Sequence, residues 1–222
     1  MKQIIGICGF IGSGKDTMAD ILIAEHGFHR ESYAGKLKDA IADIFGWDRE
    51  LLEGKNKEGR EWRERVDTWW SQRLDMPNLT PRWVLQQWGT EVCRQAFHDD
   101  IWIASLENKI RNSTSDIVIS DCRFPNEIAS IRRSGGKIIW VTRGKLPEWY
   151  ECALHQNENE EDLWILEDHG QTMEQLFPNV HVSEWAWIGQ KFDLVVENNG
   201  TLQDLRDTIK SRVLCLQEAK VI

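Results

Sequence analysis

What the chain lacks narrows its function first. No stretch approaches the roughly 20 consecutive apolar residues needed to span a bilayer, so no membrane segment is expected. The N-terminus has no signal-peptide pattern, because the apolar run Ile4 to Cys8 gives way at once to a glycine-rich loop. The five cysteines (Cys8, Cys93, Cys122, Cys152, Cys215) are scattered, odd in number and without C-x-x-C spacing. That points to a reducing cytoplasm and to no zinc site. Positive charge is scarce. Against 36 Asp and Glu stand 27 Lys and Arg, and the net charge of −9 argues against a nucleic-acid duplex as partner, which calls for a basic face. Small phosphorylated ligands stay open, since a local basic pocket fits within an acidic protein. No N-K-x-D guanine motif occurs: Asn56-Lys57 and Asn108-Lys109 are followed by Glu58-Gly59 and Ile110-Arg111. There is no internal repeat and no low-complexity linker, so residues 1–222 read as a single domain. The 12 tryptophans are many for this length; most belong to a core or an interface, which leaves room for a homodimer, and a few could stack on a base.

What is present is a phosphate-binding loop. Residues Gly9, Phe10, Ile11, Gly12, Ser13, Gly14, Lys15, Asp16 and Thr17 read GFIGSGKDT, with G-x-x-x-x-G-K spacing directly after an apolar run. The glycines let successive N–H groups point at one anion. Lys15 can reach the β- and γ-phosphates, and the helix behind the loop aims its positive end at the same point. Asp16 stands where Ser or Thr usually supplies a magnesium ligand, and Thr17 comes one later. This K-x-T ending is similar to that of nucleotide and small-metabolite kinases more than of GTPases.

Strands are expected at Gln3–Cys8, Phe28–Tyr33, Asp116–Ser120, Lys137–Thr142 and Phe192–Glu197. Helices are expected at Gly14–Glu25, Ala34–Phe45, Pro81–Phe97, Pro125–Ser134 and from Thr201 onward. Thr201 with Asp204 gives a capping-box-like start to the last helix. Continuous apolar strands alternating with helices predict an α/β fold, a three-layer doubly wound parallel sheet. Asp48 to Arg65 is dense in charge and broken by Gly54 and Gly59. It reads as a mobile surface segment leading into one helix with Trp62, Val66, Trp69 and Trp70 on a face. Residues 46–80 are taken as an acceptor-binding helical insert, and 143–190 as a lid or a surface insertion, with an acidic middle at Gln156 to Asp168.

Asp121 ends an apolar strand, where open α/β sheets place their ligands and where a carboxylate can hold the water shell of magnesium. Arg123, two residues on, could reach an acceptor phosphate. Arg82 and Gln86, spaced i, i+4, share a helix face with Gly89, Thr90 and Glu91 following; a guanidinium fork suits oxygens and an amide suits a base edge. A solvated helix face explains the same spacing. Lys36 and Lys38 offer a second basic spot, or a plain helix start. Arg143 enters the 143–190 segment, and His181-Val182-Ser183-Glu184 lies late in it.

In order, GFIGSGKDT, YAGKLKDA, RWVLQQWGTE, ISDCRFPNE, WVTRG, HVSE and ENNGTLQDL resemble the deoxynucleoside monophosphate kinases of tailed bacteriophages, from Ile4 to about Leu214. The resemblance implies a P-loop kinase fold in a (host) cytoplasm, with the loop and Lys15 holding ATP and Mg2+ near Asp16, Thr17 and Asp121. It implies that Asp16, Arg82, Gln86, Asp121 and Arg123 line the acceptor side or metal region, and that Arg143 is a lid arginine; the residues themselves add Lys36 and Glu91 as substrate-binding candidates. Its weakest stretches are Asp48 to Arg73 and Gly144 to Gln190, which would contact or cover the base. The expected reaction is γ-phosphoryl transfer from Mg·ATP to the 5′-phosphate of a deoxynucleoside monophosphate. Because the acceptor is already an anion, positioning and charge neutralisation suffice. Other P-loop kinases (dephospho-coenzyme A, shikimate or phosphomevalonate type), a non-catalytic ATP-binding module and a nucleic-acid 5′-end kinase stay open, the last disfavoured by the acidic balance.

Overall fold

The computed structural model describes residues 2–158 and 172–217. In chain order the elements are β1 (Ile4–Cys8), α1 (Lys15–His26), β2 (His29–Glu31), α2 (Gly35–Phe45), α3 (Arg49–Glu53), α4 (Lys57–Arg63), α5 (Thr68–Arg73), α6 (Pro81–Gln86), α7 (Ile101–Asn112), β3 (Ile117–Ile119), α8 (Pro125–Arg133), β4 (Lys137–Thr142), α9 (Tyr150–Glu158), α10 (Met173–Leu176), β5 (Leu194–Glu197) and α11 (Leu202–Thr208). No described helix is long and apolar enough to cross a membrane.

Two compact units form: Met1–Glu31 with Lys109–Ile222, and Ser32–Asn108. The first holds a five-stranded sheet in the order β2-β3-β1-β4-β5, with every pairing parallel. The expected doubly wound sheet is therefore present. Its middle strand, β1, is Ile-Ile-Gly-Ile-Cys and is buried at every position, as a strand covered on both faces must be. Ile5, Ile7, Met18, Leu22, Val118, Ile139, Val141, Val196 and Ile209 join one apolar cluster. Each such side chain contributes on the order of 2 kcal/mol when fully buried. The sheet is thus the rigid part, and the turns at the C-terminal ends of its strands are what it positions.

The second unit is helical. Leu37, Ile41, Phe45, Trp47, Leu52, Leu79 and Val84 form its core, with Trp62, Trp70, Trp88 and Trp102 packed against them. The charge-dense stretch 48–65, read from sequence as mobile, is instead two capped helices. Asp48 accepts from the N–H groups of Glu50 and Leu51, and Asn56 from that of Gly59. Gly54 is not a break but the left-handed C-cap of α3, and Gly59 is buried inside α4. The single helix expected to carry Trp62 through Trp70 is split, because Asp67 caps a new helix through the Trp70 N–H. The Pro81–Phe97 helix is present. It starts as α6 under a Thr80 cap and continues with π winding over Gln87–Phe97.

Ion pairs lace the outside of this unit. The Glu53 carboxylate accepts from Lys38 Nζ (2.7 Å) and Arg49 Nη1 (2.7 Å), and Arg49 Nε donates to Asp39 (2.8 Å). Burial alone would raise the pKa of Glu53, but the hydrogen bonds from Lys38 and Arg49 and their charges outweigh it and bring it to about 2.

Candidate active site

Between β1 and α1 the chain turns through Gly9 (φ 147°) and Gly14 (φ 100°), both in the region that favours glycine. A Cβ on Gly9 would run into the Val141 carbonyl, and one on Gly14 into the Asn198 amide. The loop therefore curls tightly against the ends of β4 and β5. Asn198 Nδ2 donates to the Ser13 carbonyl (2.9 Å), and Asn198 N–H to Thr142 O (2.8 Å), which ties the loop to two strands. Ser13 Oγ is buried and has no partner among the described residues. Ile11 is 80 % exposed, which suits a loop tip that a ligand would cover.

Lys15 begins α1, and its Nζ donates to the Phe10 carbonyl (2.8 Å). Burial lowers its pKa, and the charge of Arg123 lowers it further, while Asp16, Glu184 and Cys8 act the other way. Lys15, Arg123 and Glu184 thus share one electrostatic neighbourhood. Phe10 packs edge-on to Trp149 and Tyr150 and at a tilt to Trp187, so aromatic rings brace the loop from the 149–187 stretch.

Asp16 is exposed on the first turn of α1. Its Oδ1 accepts from Arg30 Nη1 (3.2 Å) and from Ser120 Oγ (3.0 Å). Arg30, on β2, also donates to Asp20 (2.7 Å). It escaped the sequence reading because only its neighbours in the sheet identify it. Thr17, one position on, is exposed as well. Asp121 follows β3 and is half-buried. The turn that carries Asp121 and Arg123 is pinned by Glu127, a buried carboxylate that accepts from the N–H groups of Arg123 (2.8 Å) and Phe124 (3.2 Å). With Phe124 rather than Ser or Thr three residues before Glu127, no capping-box signature marked this cap in the sequence.

Arg123 Nη1 donates to Glu184 (2.7 Å) and to Ser183 Oγ (3.2 Å), and Ser183 Oγ lies 2.9 Å from His181 Nδ1. The H-x-S-E stretch, meaningless alone in sequence, is the socket for this arginine. Arg143 is exposed on the turn after β4 and makes no hydrogen bond or ion pair with a described residue. In the 143–190 segment the structure shows α9, α10 and a short turn at Val182–Glu184; most of the acidic run 156–168 lies outside the described residues.

The remaining expected residues belong to the second unit. Lys36 pairs with Asp39 on α2 (3.1 Å). Arg82 pairs with Glu64, and Arg82, Gln86, Thr90 and Glu91 are all exposed. The π winding that starts at Gln87 places residues five apart on one face, so Glu91 continues the row from Gln86.

The loop fits a nucleotide polyphosphate. It has two glycines, Gly9 and Gly14, where a Cβ would collide with its surroundings, a buried hydroxyl with no partner among the described residues, a lysine whose pKa is lowered by burial, and a following helix N-terminus. Among the described residues no group of three or more His, Cys, Asp or Glu could hold a metal alone. Asp16, Thr17 and Asp121 suit an ion of the magnesium type, which keeps much of its shell as water and phosphate oxygen.

No protein-family model matches the chain. A protein of Acanthamoeba polyphaga mimivirus, provisionally named deoxynucleotide monophosphate kinase, is 32 % identical, covering 63 % of this chain and 74 % of that protein. The deoxynucleoside-5′-monophosphate kinase of Escherichia phage T5 is 30 % identical, covering 60 % of this chain and 73 % of the phage enzyme. Among solved structures, dephospho-CoA kinase from Campylobacter jejuni aligns over 97 % of both chains with a TM-score of 0.40 and 18 % identity. Shikimate kinase from Aquifex aeolicus aligns over 98 % of this chain and all of that one, with a TM-score of 0.43 and 12 % identity. With two relatives at this identity and coverage and a phosphate loop on a parallel sheet, the chain is a phosphotransferase that belongs to the deoxynucleoside monophosphate kinase family.

Proposed function

We propose that the protein transfers the γ-phosphoryl group of Mg·ATP to the 5′-phosphate of a deoxynucleoside monophosphate, giving dNDP and ADP. The observation that carries this reading is the loop: Gly9 and Gly14, at φ 147° and 100° and closed against the ends of β4 and β5, form the tight turn ahead of Lys15 and α1, and a turn of this kind suits backbone N–H groups and a lysine converging on one anion. In this role Lys15 leaves the Phe10 carbonyl for the β- and γ-phosphate oxygens. Its depressed pKa reflects a charge short of water and of counter-charge, which a polyphosphate restores.

Arg123, held in place by Glu184 and Ser183, is the guanidinium for the oxygens of the transferring group. Charge on that group spreads over its three equatorial oxygens, so a fixed fork beside Lys15 stabilises it without reorganising. Magnesium, bound with ATP near Asp16, Thr17 and Asp121, would supply neutralisation of the β- and γ-oxygens. Arg30 and Ser120 hold the Asp16 carboxylate in one orientation. No side chain need act as a strong base, because the accepting oxygen is already anionic. Arg143 is assigned to the lid, and Lys36, Arg82, Gln86 and Glu91 to the acceptor nucleotide. The compartment is the cytoplasm, that of the host where the gene is viral.

Coupled ADP release with Mg·ATP across all common dNMPs and NMPs, beside an acceptor-free control, tests the reading. Release that depends on one or a few dNMPs supports it. Release that no nucleotide stimulates, or that a sugar or coenzyme acceptor stimulates instead, overturns it.

A further inference from the structure

In the second unit one guanidinium is out of keeping with its surroundings. Arg63 is the last residue of α4 and is only partly exposed. Its Nε is buried and has no hydrogen-bond partner, and Arg63 makes no hydrogen bond or ion pair with any other described residue. A guanidinium carries five N–H donors, and the great majority of buried donors in folded proteins are satisfied. The group is also held, not loose. It lies flat against Gly54, the left-handed cap of α3, where a Cβ would overlap Arg63 Cζ and Nη2.

Positive charge gathers around it. Burial lowers the pKa of Arg63, and the Arg82 charge lowers it further, with Arg60 adding to the same effect; Glu64 and Glu53 oppose it. Those carboxylates are spoken for: Glu64 accepts from Arg82, and Glu53 from Lys38 and Arg49. Two arginines whose charges oppose one another, one of them without an acceptor among the described residues, suit a compact dianion with several oxygens. A phosphate monoester has that chemistry: it can take a fork from each guanidinium.

We infer that Arg63, with Arg82, binds the 5′-phosphate of the acceptor nucleotide, and that Gly54 is required there because the guanidinium occupies the space of a side chain. The inference rests on the phosphotransferase reading above for the identity of the phosphate. A plain structural arginine would instead donate to the carbonyls at the end of α3 or α4, and Arg63 makes no such bond.

The test compares wild type, Arg63→Gln and Arg63→Lys, with circular dichroism and melting temperature to confirm folding. Dissociation constants are measured for the dNMP that wild type turns over fastest, for the matching deoxynucleoside, and for ATP. R63Q is expected to weaken dNMP binding by more than about tenfold, the worth of hydrogen bonds to a charged group. It should leave deoxynucleoside and ATP binding within about twofold, well short of one such bond. R63K, which keeps charge but loses the fork, should fall between. In turnover the loss should appear in KM for dNMP more than in kcat. A folded R63Q with unchanged dNMP affinity overturns the assignment while the kinase reading stands. If wild type phosphorylates no dNMP, that reading fails separately, and inorganic phosphate becomes the probe: binding lost in R63Q keeps Arg63 as a phosphate ligand, and equal binding removes it.

Discussion

Arg123 and Glu184 stand 61 positions apart in the chain and 2.7 Å apart in the fold. The Glu184 carboxylate accepts from that guanidinium and so decides where it points, and its charge also acts on Lys15. Glu184→Ala should therefore act through Arg123: kcat falls by about tenfold to a hundredfold, the worth of one charge-assisted contact in a transition state, while KM for ATP changes little. The bond from the Trp187 indole Nε1 to the Glu184 backbone carbonyl survives the change, so the far-ultraviolet spectrum should too. Steady-state kinetics with both substrates check this; an E184A enzyme with wild-type kcat separates Glu184 from the mechanism.

Lys15→Met should reduce kcat by roughly a thousandfold, because one cation is lost where charge develops. The fold should not suffer. Lys15 is a partly buried ammonium whose pKa is depressed by burial and by Arg123, so its charged form is a cost in the folded state at neutral pH. Thermal melts of K15M should match or exceed those of wild type; a clear drop would show that Lys15 supports the loop mainly as a structural tie to Phe10.

Asn198 fastens the phosphate loop to β5 through the Ser13 carbonyl. Asn198→Ala removes that bond and leaves the carbonyl to water. KM for ATP should rise several-fold, in line with about 1 kcal/mol for the bond, with a smaller effect on kcat. Gly14→Ala is the harsher probe, since the new Cβ meets the Asn198 amide at a φ of 100°. ATP binding by G14A should be lost in calorimetry; retained binding would mean that the loop can open without harm.

Glu53 ties the stability of the helical unit to pH. Its folded pKa, about 2, lies below its ordinary value of 4.5. The stabilisation is thus fully present above about pH 4.5 and is lost as the pH falls toward 2, on the order of 2 to 3 kcal/mol in all. Glu53→Gln should lower the denaturant midpoint at pH 7 and flatten its decline between those limits. Parallel declines in wild type and E53Q would assign the acid sensitivity to other carboxylates.

The sheet and the phosphate loop were legible because their signals are local. β4 is Lys137–Thr142 by pattern and by structure alike, and the loop is written in glycine spacing ahead of Lys15. Pairings across the chain were not legible. Arg30 with Asp16 and Arg123 with Glu184 depend on the order of strands, which no short motif encodes. In 48–65 the density of charge hid the caps: Asp48 and Asn56 are helix starts among residues that also suit a solvated loop. The helix Ile101–Asn112 went unnoticed although its buried Ile103, Leu106 and Ile110 follow helical spacing. Arg63 could not have been found in sequence at all, since what marks it is a bond it does not make.

The most direct measurement is the identity of the products. The protein is incubated with Mg·ATP and each dNMP in turn, and the phosphorus species are followed by 31P NMR with mass spectrometry of the nucleotides. The account predicts dNDP and ADP in equal amounts for at least one dNMP, with little inorganic phosphate. ADP accompanied by inorganic phosphate, with every dNMP left unchanged, would contradict it.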